Sequence, residues 1–439
     1  MKKVALSSLG CPKNLVDSET MLAALADHGL CPVAEPEEAD LLLINTCGFI
    51  ESAKREGIEQ ILAAAELKRQ GKIQGILVTG CLSQRYREEI AEEFPEVDGF
   101  LGTTSEARVA EAADEVLAGR KFAAFDGETD SPLFGPRILS TPSYTAYLKI
   151  AEGCNNRCTY CAIPLIRGPL RSQPIDDLLD QARALSEAGV QELILIAQDT
   201  TAYGNDRGER ALVPLLERLC ELPFHWIRLL YCYPERIGDD LIACMKAHPQ
   251  ILPYFDIPMQ HCDGAILRAM RRPGNEASLR ELIEKLRREL PDAVLRTTLI
   301  VGFPGETDEQ FERLCEFVKD MRFDKLGAFA YSPEEGTEAA EMPGQIDEEV
   351  KQARLDALMA LQSRLSEEIL AERVGQVCEV LCEGFDEESD CYVGRTAGDA
   401  PDVDGKVFFQ SREEVLPGQF VRVEIKSALT YDLVGEALE

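Results

Sequence analysis

The sequence predicts an α/β protein of three domains, and three observations lead to this prediction. Apolar strands alternate with amphipathic helices over residues 1–370. Cysteines follow the strands, first one at a time and later three in a single loop. From residue 371 onward the pattern changes to short alternating strands. We therefore expect an N-terminal open parallel α/β sheet, a central partial (β/α)6 barrel and a C-terminal small antiparallel β-barrel.

The length and the cysteine content limit the class of protein. A chain of 439 residues is long for one compact domain and favours two or three. Its 15 cysteines are odd in number, and the first residues contain neither an export signal nor a membrane-spanning stretch. A disulfide framework is therefore disfavoured, and we interpret the cysteines that follow strands as metal ligands. We expect a cytoplasmic protein.

The charge is strongly acidic, with a formal net value of −32. A surface of this sign is poorly suited to non-specific phosphate contact, so neither nucleic acid nor membrane is the expected partner. A basic protein fits better. The alternative is that the acidity only aids solubility.

Residues 1–135 repeat one pattern three times: an apolar strand, a turn of small residues, a cysteine and a helical stretch. The three cysteines are Cys11, Cys47 and Cys81. Alternating strands and helices form a parallel sheet, and ligands bind at its carboxyl edge near the switch in strand order. We expect the three thiols to converge at that edge, where one metal could meet all of them.

A second α/β domain is predicted over residues 136–370. A stretch rich in Gly, Pro and Ser at 127–143 indicates the boundary before it. Six strand candidates then alternate with amphipathic helices such as 276–289, which predicts a partial barrel with its active face at the carboxyl ends of the strands. The charged helical run at 346–370 is expected to pack back on the barrel as a connector.

Residues 371–439 contain short alternating runs separated by Gly, Asp and Pro, which predict the small antiparallel barrel. This segment has 16 acidic and 6 basic side chains, a net charge of about −10. A nucleic-acid platform usually has the opposite sign. The acidic run at 386–390 is the natural place to look for a basic partner, although charged loops are more often only solvated.

The strongest motif is CNNRCTYC at 154–161, directly after a strand. The thiolates of Cys154, Cys158 and Cys161 can bind three irons of a [4Fe-4S] cubane and leave the fourth iron open for a ligand. A zinc knuckle is the alternative, but the loop offers no fourth Cys or His at the usual spacing. Taken singly, Cys11, Cys47 and Cys81 would be ordinary core residues; their repeated position favours a second open cluster.

The spacing C-x3-C-x2-C with an aromatic residue before the last cysteine resembles the radical S-adenosylmethionine (SAM) superfamily. That resemblance implies that the open iron holds SAM, that an electron from the cluster yields a 5′-deoxyadenosyl radical, and that Tyr160 lies beside the adenine. It also implies that TTLIVGFPGET (297–307) is the glycine-containing SAM motif of the superfamily, with Gly302 and Glu306 as contacts.

Over nearly its whole length the chain resembles the methylthiotransferases, whose order is an N-terminal methylthiotransferase domain, a radical SAM barrel and a TRAM domain. Within that family it looks like the branch that modifies a ribosomal protein, because RNA-modifying relatives usually carry a different residue after the first cysteine. The motifs that carry the resemblance are SLGCPKNLVDSE (8–19), NTCGFIESA (45–53), GCLSQRY (80–86), IPMQHCDGAILRAMRR (257–272) and FAYSPEEGT (329–337).

The resemblance implies the activity: a methylthio group is placed on the β-carbon of an aspartate in the twelfth protein of the small ribosomal subunit. The Cys11/Cys47/Cys81 cluster would supply or carry the sulfur, and a second SAM would methylate it. An electron donor such as a flavodoxin or ferredoxin is implied as well. A carbon-centred radical is required because no side-chain base is strong enough to deprotonate such a carbon.

Polar residues at the predicted active face are candidate ligand contacts. Gln198 and Asp199 end one barrel strand, and Gln260 and His261 end another. A structural role is as well supported for His261. After the cluster loop, Arg167 and Arg171 could hold a carboxylate. The other three histidines are expected to be ordinary, and the nine remaining cysteines to fill cores.

Two alternative functions remain at this point. One is a tRNA adenosine methylthiotransferase of the same architecture, which the acidic C-terminal segment disfavours. The other is a non-catalytic iron–sulfur electron carrier, which would need no SAM site. Equilibrium binding of SAM distinguishes the carrier from either enzyme.

Overall fold

A computed structural model describes residues 1–125 and 135–438. The predicted boundary stretch at 127–143 begins outside the described residues, and its remainder, 135–143, forms neither helix nor strand. Among the described residues, no helix is both long and apolar enough to cross a membrane.

The N-terminal domain is one six-stranded sheet in which every pair of neighbours is parallel. The strand order β2-β1-β3-β4-β5-β6 confirms the predicted open parallel sheet. β3 and β4 are buried along their whole length, as expected for strands covered on both faces. The strands are β1 (Lys3–Ser8), β2 (Cys31–Val33), β3 (Leu41–Thr46), β4 (Gly75–Gly80), β5 (Gly99–Leu101) and β6 (Phe122–Ala124). The helices are α1 (Pro12–Asp27), α2 (Glu51–Arg69), α3 (Cys81–Tyr86), α4 (Glu88–Glu93) and α5 (Val109–Leu117).

The order of the strands reverses between β1 and β3, and this switch point organises the carboxyl edge of the sheet. Cys11, Cys47 and Cys81 follow β1, β3 and β4, which are three adjacent strands. Cys11 is also the N-cap of α1, whose first residue, Pro12, has the fixed φ that suits a helix start. Cysteines separated by more than 30 residues therefore come to one edge.

The central domain confirms the predicted partial barrel. Six of its eight strands run in sequence order as two parallel three-stranded sheets, and the other two form a short antiparallel pair. The ladder is interrupted between these sheets, and beyond the end of β11 the Tyr231 N–H donates to the side chain of Asp256 (3.0 Å). The strands are β7 (Thr145–Lys149), β8 (Ala151–Glu152), β9 (Arg171–Ser172), β10 (Glu192–Ile196), β11 (Trp226–Leu229), β12 (Tyr254–Gln260), β13 (Val294–Val301) and β14 (Lys325–Ala330). The helices are α6 (Ile163–Arg167), α7 (Ile175–Glu187), α8 (Leu212–Leu219), α9 (Asp239–Ala247), α10 (Gly264–Ala269), α11 (Glu276–Glu289), α12 (Asp308–Met321) and α13 (Glu348–Ala371).

The C-terminal domain is a closed five-stranded barrel of order β15-β16-β17-β19-β18. The predicted small antiparallel barrel is confirmed, and it includes a parallel pair at β17 and β19. A closed ring with an odd number of strands cannot alternate direction at every step, so one parallel pair is unavoidable. The strands are β15 (Val377–Asp386), β16 (Cys391–Thr396), β17 (Val407–Gln410), β18 (Phe420–Ala428) and β19 (Leu433–Ala437).

One apolar cluster connects all three domains through the interior of the central barrel. Tyr147, Ile196 and Tyr254 fill the barrel, Val16 of α1 packs on them from the N-terminal domain, and Ala400 packs from the C-terminal domain. All five side chains are buried, which makes the three domains one packed unit.

The C-terminal domain docks at the amino ends of the central strands, opposite their carboxyl ends. Glu192, the first residue of β10, is fully buried and binds Arg228 of β11 (2.8 Å) and Arg395 of β16 (2.7 Å). Tyr254, the first residue of β12, donates to Asp404 (2.6 Å).

Candidate functional site

The first cysteine trio lies at the carboxyl edge of the N-terminal sheet. The side-chain oxygen of Asn14 is 4.0 Å from the Cys11 sulfur and 3.6 Å from the Cys81 sulfur. Gly10 brings Cys47 to the same place: it has φ +92°, and a Cβ there would be 2.7 Å from Cys47 Cβ. The structure therefore places the three predicted cysteines together.

These thiols do not converge on one point. In the part of the chain that the structure describes, no three His, Cys, Asp or Glu side chains are close enough to share a single metal ion. The expectation that one metal could meet all three is therefore wrong for a single ion. A cubane fits better, because each thiolate binds a different iron and the sulfurs stay apart.

A buried cation is in contact with this trio. Arg167, at the end of α6 in the central domain, is 3% exposed, and its Nη2 is 3.5 Å from the Cys81 sulfur and 2.5 Å from Asn14 Oδ1. Burial raises the pKa of the Cys81 thiol to about 12, and the charge of Arg167 opposes that rise. Because thiols must lose their protons to bind iron, Arg167 favours the ligating form.

Arg167 also belongs to a buried ion network across the two domains. Its Nη1 binds Asp17 of α1 (2.8 Å) and Glu152 of β8 (2.7 Å). Lys149 of β7 pairs with the same two carboxylates. Arg167 thus binds carboxylates of the chain itself. Arg171, the other arginine expected to hold a carboxylate, forms no ion pair with any described residue.

A second buried cation, Lys13, is two residues after Cys11. It is 8% exposed, and its Nζ lies 3.5 Å from the ring centroid of Tyr231, at the carboxyl end of β11. Burial lowers the pKa of Lys13, but Tyr231 and Cys11 raise it, and the net value is above the usual one. Sequence reasoning did not single out this residue. A lysine in the first turn of a helix, where acids are favoured, was the available signal.

The second trio lies on the loop between β8 and α6, at the carboxyl end of the barrel. The Asn156 N–H donates to the Cys154 sulfur (3.4 Å), and the Cys158 sulfur is 2.8 Å from the Tyr233 hydroxyl. Burial raises the pKa of the Cys154 thiol to about 11 and that of Cys161 to about 12. The site therefore brings three thiols together on one short loop, as the motif predicts.

The loop is held by Asp199, one of the polar residues expected at this face. Its Oδ2 accepts from Asn156 (2.8 Å) and from Arg236 (2.5 Å). Arg272 adds a buried cation, 3.8 Å from the ring centroid of Tyr233. Asp199 thus fixes the cluster loop and is 1% exposed, which leaves it little surface for a ligand.

A cavity of about 400 Å³ opens between the two domains and close to both trios. The N-terminal domain contributes residues 49–52, directly after Cys47, and the central domain contributes Tyr160, beside Cys161. Most of the lining is apolar, as in small-molecule sites. The remaining lining residues are Gln260, Thr298, Ile300, Phe329, Ala330, Tyr331, Ser332 and Glu334.

An ionic clamp at this cavity joins the two domains. Glu334 binds Lys54 of α2 (3.1 Å) and Arg85 of α3 (2.9 Å), and all three side chains are mostly buried. Arg85 also donates to the carbonyl of Gly48, next to Cys47 (2.8 Å). The clamp therefore fixes the wall after Cys47 against the barrel.

Of the predicted SAM contacts, Tyr160 and Gln260 line this cavity. The other three are not among its lining residues. The carboxylate of Glu306 accepts from the Gly302 N–H (3.0 Å) and from Arg354 of α13 (2.9 Å). Gln198 donates to Glu152 (2.6 Å) and so joins the ion network of Arg167. All five remain predictions as SAM contacts.

His261 occupies a structural position. It is fully buried, and its Nδ1 accepts from the Asp263 N–H (2.9 Å). Burial lowers its pKa to about 4, so the ring is neutral near pH 7. Five of the nine other cysteines are buried and fit core filling: Cys232, Cys244, Cys262, Cys382 and Cys391.

The chain matches three family models in the order of its domains. The model described as uncharacterized protein family UPF0004 matches residues 3–102, the radical SAM superfamily model residues 148–318, and the TRAM domain model residues 374–438. The chain is 50% identical to a "Ribosomal protein uS12 methylthiotransferase RimO" of Desulforamulus reducens, over 99% of both chains. It is 47% identical to the protein of that name in Clostridioides difficile, over 100% of this chain and 99% of the other.

Solved structures share the fold over three quarters of the chain at low identity. Two structures of the radical SAM methyltransferase TsrM from Kitasatospora setae are 14% identical to the chain. Both cover 75% of it, and 75% and 73% of their own chains, with TM-scores of 0.57 and 0.58. At this identity the likeness concerns the fold alone.

Proposed function

The chain belongs to the RimO family of ribosomal protein uS12 methylthiotransferases, and on that premise we propose its reaction in detail. It is a radical SAM enzyme that transfers a methylthio group to a protein. The proposed substrate is uS12, the twelfth protein of the small ribosomal subunit, and the proposed acceptor is the β-carbon of an aspartate. The cavity between the segment that follows Cys47 and Tyr160, next to Cys161, is the observation that best supports a reaction between two cluster sites.

We propose two [4Fe-4S] clusters, held by Cys11, Cys47 and Cys81 and by Cys154, Cys158 and Cys161. The thiol-only donor sets, each with three members, fit a cubane with one open iron. When bound, the second cluster supplies the electron that cleaves SAM, and the first supplies the site for sulfur. Tyr160, Gln198, Gln260, Gly302 and Glu306 are proposed to contact SAM.

The chain's own residues bind, orient and exclude water. Asp199 and Tyr233 hold the second cysteine loop in place, while Arg167 and Asn14 hold the first trio against the barrel. The clamp at Glu334 closes the wall between the domains. The apolar lining keeps the cavity poor in water, which protects a reactive carbon radical from side reactions.

The remaining assignments follow from the same premise. We propose domain boundaries at 135/136 and 370/371. The proposed location is the cytoplasm, where the ribosomal substrate is present. The proposed electron donor is a protein such as a flavodoxin or ferredoxin. The substrate is a basic protein, free or in the ribosome, and no direct nucleic-acid substrate is expected for an enzyme with net charge −32.

The test is an anaerobic reaction of the reconstituted enzyme with purified uS12, tRNA, SAM, sulfide and a chemical reductant, followed by mass spectrometry of uS12 peptides and of tRNA nucleosides. A mass gain of one methylthio group on an aspartate supports the proposal. The variant in which Cys11, Cys47 and Cys81 are all Ala is the matched control, since it keeps the SAM-binding trio. Modified tRNA and unmodified uS12 would contradict the proposal in favour of the RNA-modifying relatives.

A further inference from the structure

Lys13 is a buried ammonium group without a carboxylate partner. Its side chain is 8% exposed, and no carboxylate of the described residues lies within ion-pair distance of Nζ. The other two buried lysines differ in this respect: Lys149 pairs with Asp17 and Glu152, and Lys351 pairs with Glu348. An uncompensated buried charge is costly, so its retention at one site calls for an anion that binds there.

The position of Lys13 on α1 adds to this positive charge. Cys11 is the N-cap of the helix, and Lys13 is its second residue. The first turn contains no acidic side chain. Because the amino end of a helix is itself positive, an acid is favoured there and a buried lysine is disfavoured. Two positive contributions therefore point at the space beside Cys11.

Tyr231 fixes where this charge lies relative to the barrel. Its φ of +60° is unusual for a bulky residue, and its backbone is held on both sides, by Asp256 and by Thr200. The ring centroid lies 3.5 Å from Lys13 Nζ and so places the ammonium beside the carboxyl end of β11.

Arg167, the other cation at this trio, is already neutralised. It binds two carboxylates, those of Asp17 and Glu152, and contacts Cys81. Lys13, in contrast, has no carboxylate partner among the described residues. An anion on the barrel side of the trio is the ligand that this arrangement would stabilise.

We infer that Lys13 binds the anionic sulfur species carried at the first trio, a hydrosulfide or a methanethiolate, and holds it toward the barrel. The inference rests on the proposed function, which gives this trio the sulfur. A charge-assisted hydrogen bond from an ammonium suits such a monoanion. Lys13 would then be a specific part of the sulfur site and not a support for the fold.

The test measures binding and not turnover. The full-length holoenzyme, with an uncleavable SAM analogue on the second trio's cluster, is titrated with methanethiolate, and the electron paramagnetic resonance spectrum of the reduced first cluster is followed. Lys13→Met removes the charge at similar length, and Lys13→Arg keeps it. Lys121→Met is the matched control, because it is the same substitution at an exposed site of the same domain.

We expect Lys13→Met to weaken methanethiolate binding about ten- to hundredfold, the range of a hydrogen bond to a charged group. Lys13→Arg should recover most of the affinity, and Lys121→Met should match the unsubstituted enzyme. Equal affinity of Lys13→Met and unsubstituted enzyme would overturn the inference. So would loss of iron from the first trio in Lys13→Met, because the anion would then be the cluster itself. If the unsubstituted enzyme binds no methanethiolate, the proposed function fails at its sulfur step, which is a different result.

Discussion

The two cysteine trios reach similar arrangements by opposite routes. The second is a continuous loop of eight residues, whereas the first is assembled from the ends of three strands that the fold makes adjacent. The loop trio is held by neighbours of its own domain, such as Asp199 and Tyr233. The assembled trio is held in part by Arg167 from another domain. A local motif carries its own geometry, while an assembled site depends on how domains pack.

The largest expected effect comes from removing the loop trio. With Cys154, Cys158 and Cys161 changed to Ala, iron content should fall from about eight to about four atoms per chain, because we propose that each trio holds one cubane. SAM cleavage should be abolished. Iron analysis and quantification of 5′-deoxyadenosine after anaerobic reconstitution measure both. SAM cleavage by this variant would show that the radical site is elsewhere.

Removing the assembled trio should affect only one of the two reaction steps. With Cys11, Cys47 and Cys81 changed to Ala, about four irons should again remain. Reductive SAM cleavage should persist, and methylthio transfer to uS12 should be lost, because the sulfur site is gone. The two assays above, run with product mass spectrometry, separate these outcomes. Methylthio product from this variant would contradict the sulfur role.

Arg167→Met tests the dependence of the assembled trio on domain packing. The change leaves Asp17 and Glu152 with one buried cation in place of two, and we expect a loss of about 3–5 kcal/mol in the free energy of unfolding. Urea denaturation of the cluster-free chain measures it. Arg183→Met is the control: this arginine is half exposed and pairs within its own helix, so its loss should cost less than about 0.5 kcal/mol. Similar costs for both variants would remove the distinction between the trios.

Glu334→Gln tests the clamp between the domains and its pH dependence. Burial raises the pKa of Glu334, but hydrogen bonds from Ser332 and the two cations outweigh burial and leave it below the usual 4.5. The carboxylate therefore stabilises the fold above about pH 4.5, and this contribution is lost as the pH falls through the lowered pKa.

At pH 7 we expect Glu334→Gln to cost about 1–3 kcal/mol, the range for hydrogen bonds to charged groups. The difference between variant and unsubstituted protein should shrink toward zero in strong acid, where Glu334 is protonated in both folded and unfolded chains. Thermal unfolding at a series of pH values measures the difference. A gap that does not change with pH would assign the effect to packing and not to charge.

The smallest effect is expected at the acidic turn between β15 and β16. Asp386 organises this turn by accepting from Ser389 (2.6 Å), so it is left unchanged. Changing Glu387, Glu388 and Asp390 to the corresponding amides should slow association with uS12 a few-fold at low salt, mostly through the on-rate. The difference should fade as salt shortens the screening length to about 8 Å. The exposed Glu35, Glu37 and Glu38 provide a matched control at the N-terminal domain. Equal on-rates would place recognition elsewhere.

The comparison of the trios also explains what the sequence could predict. The loop motif needed only its spacing, and the assembled trio needed the repeated strand–cysteine pattern together with the rule for parallel sheets. The fold classes of all three domains followed from periodicity. The single parallel pair in the C-terminal barrel did not, because it depends on closure of the ring and not on any local pattern.

The surroundings of the trios were harder to predict because they depend on pairs distant in sequence. Arg167 and Asp17 are 150 positions apart, and no local signal pairs them. Gln198 and Glu306, which stay predictions as SAM contacts, also hydrogen-bond to buried partners that are distant in the sequence, and no local pattern indicates those partners. Polar residues that follow strands can hydrogen-bond to charged side chains of the protein as well as to a cofactor.

The docking of the C-terminal barrel fixes its distance from the carboxyl ends of the central strands. Its attachment through Glu192, Arg228 and Arg395 is at the amino ends of the central strands, and the proposed reaction site is at their carboxyl ends. Strands of five to eight residues separate these ends by roughly 15–25 Å. A substrate that is held at the C-terminal barrel while its target enters the cavity must extend past the length of these strands. The turn then acts as a tether that raises the effective concentration of a long substrate, and a short peptide around the target residue gains nothing from it.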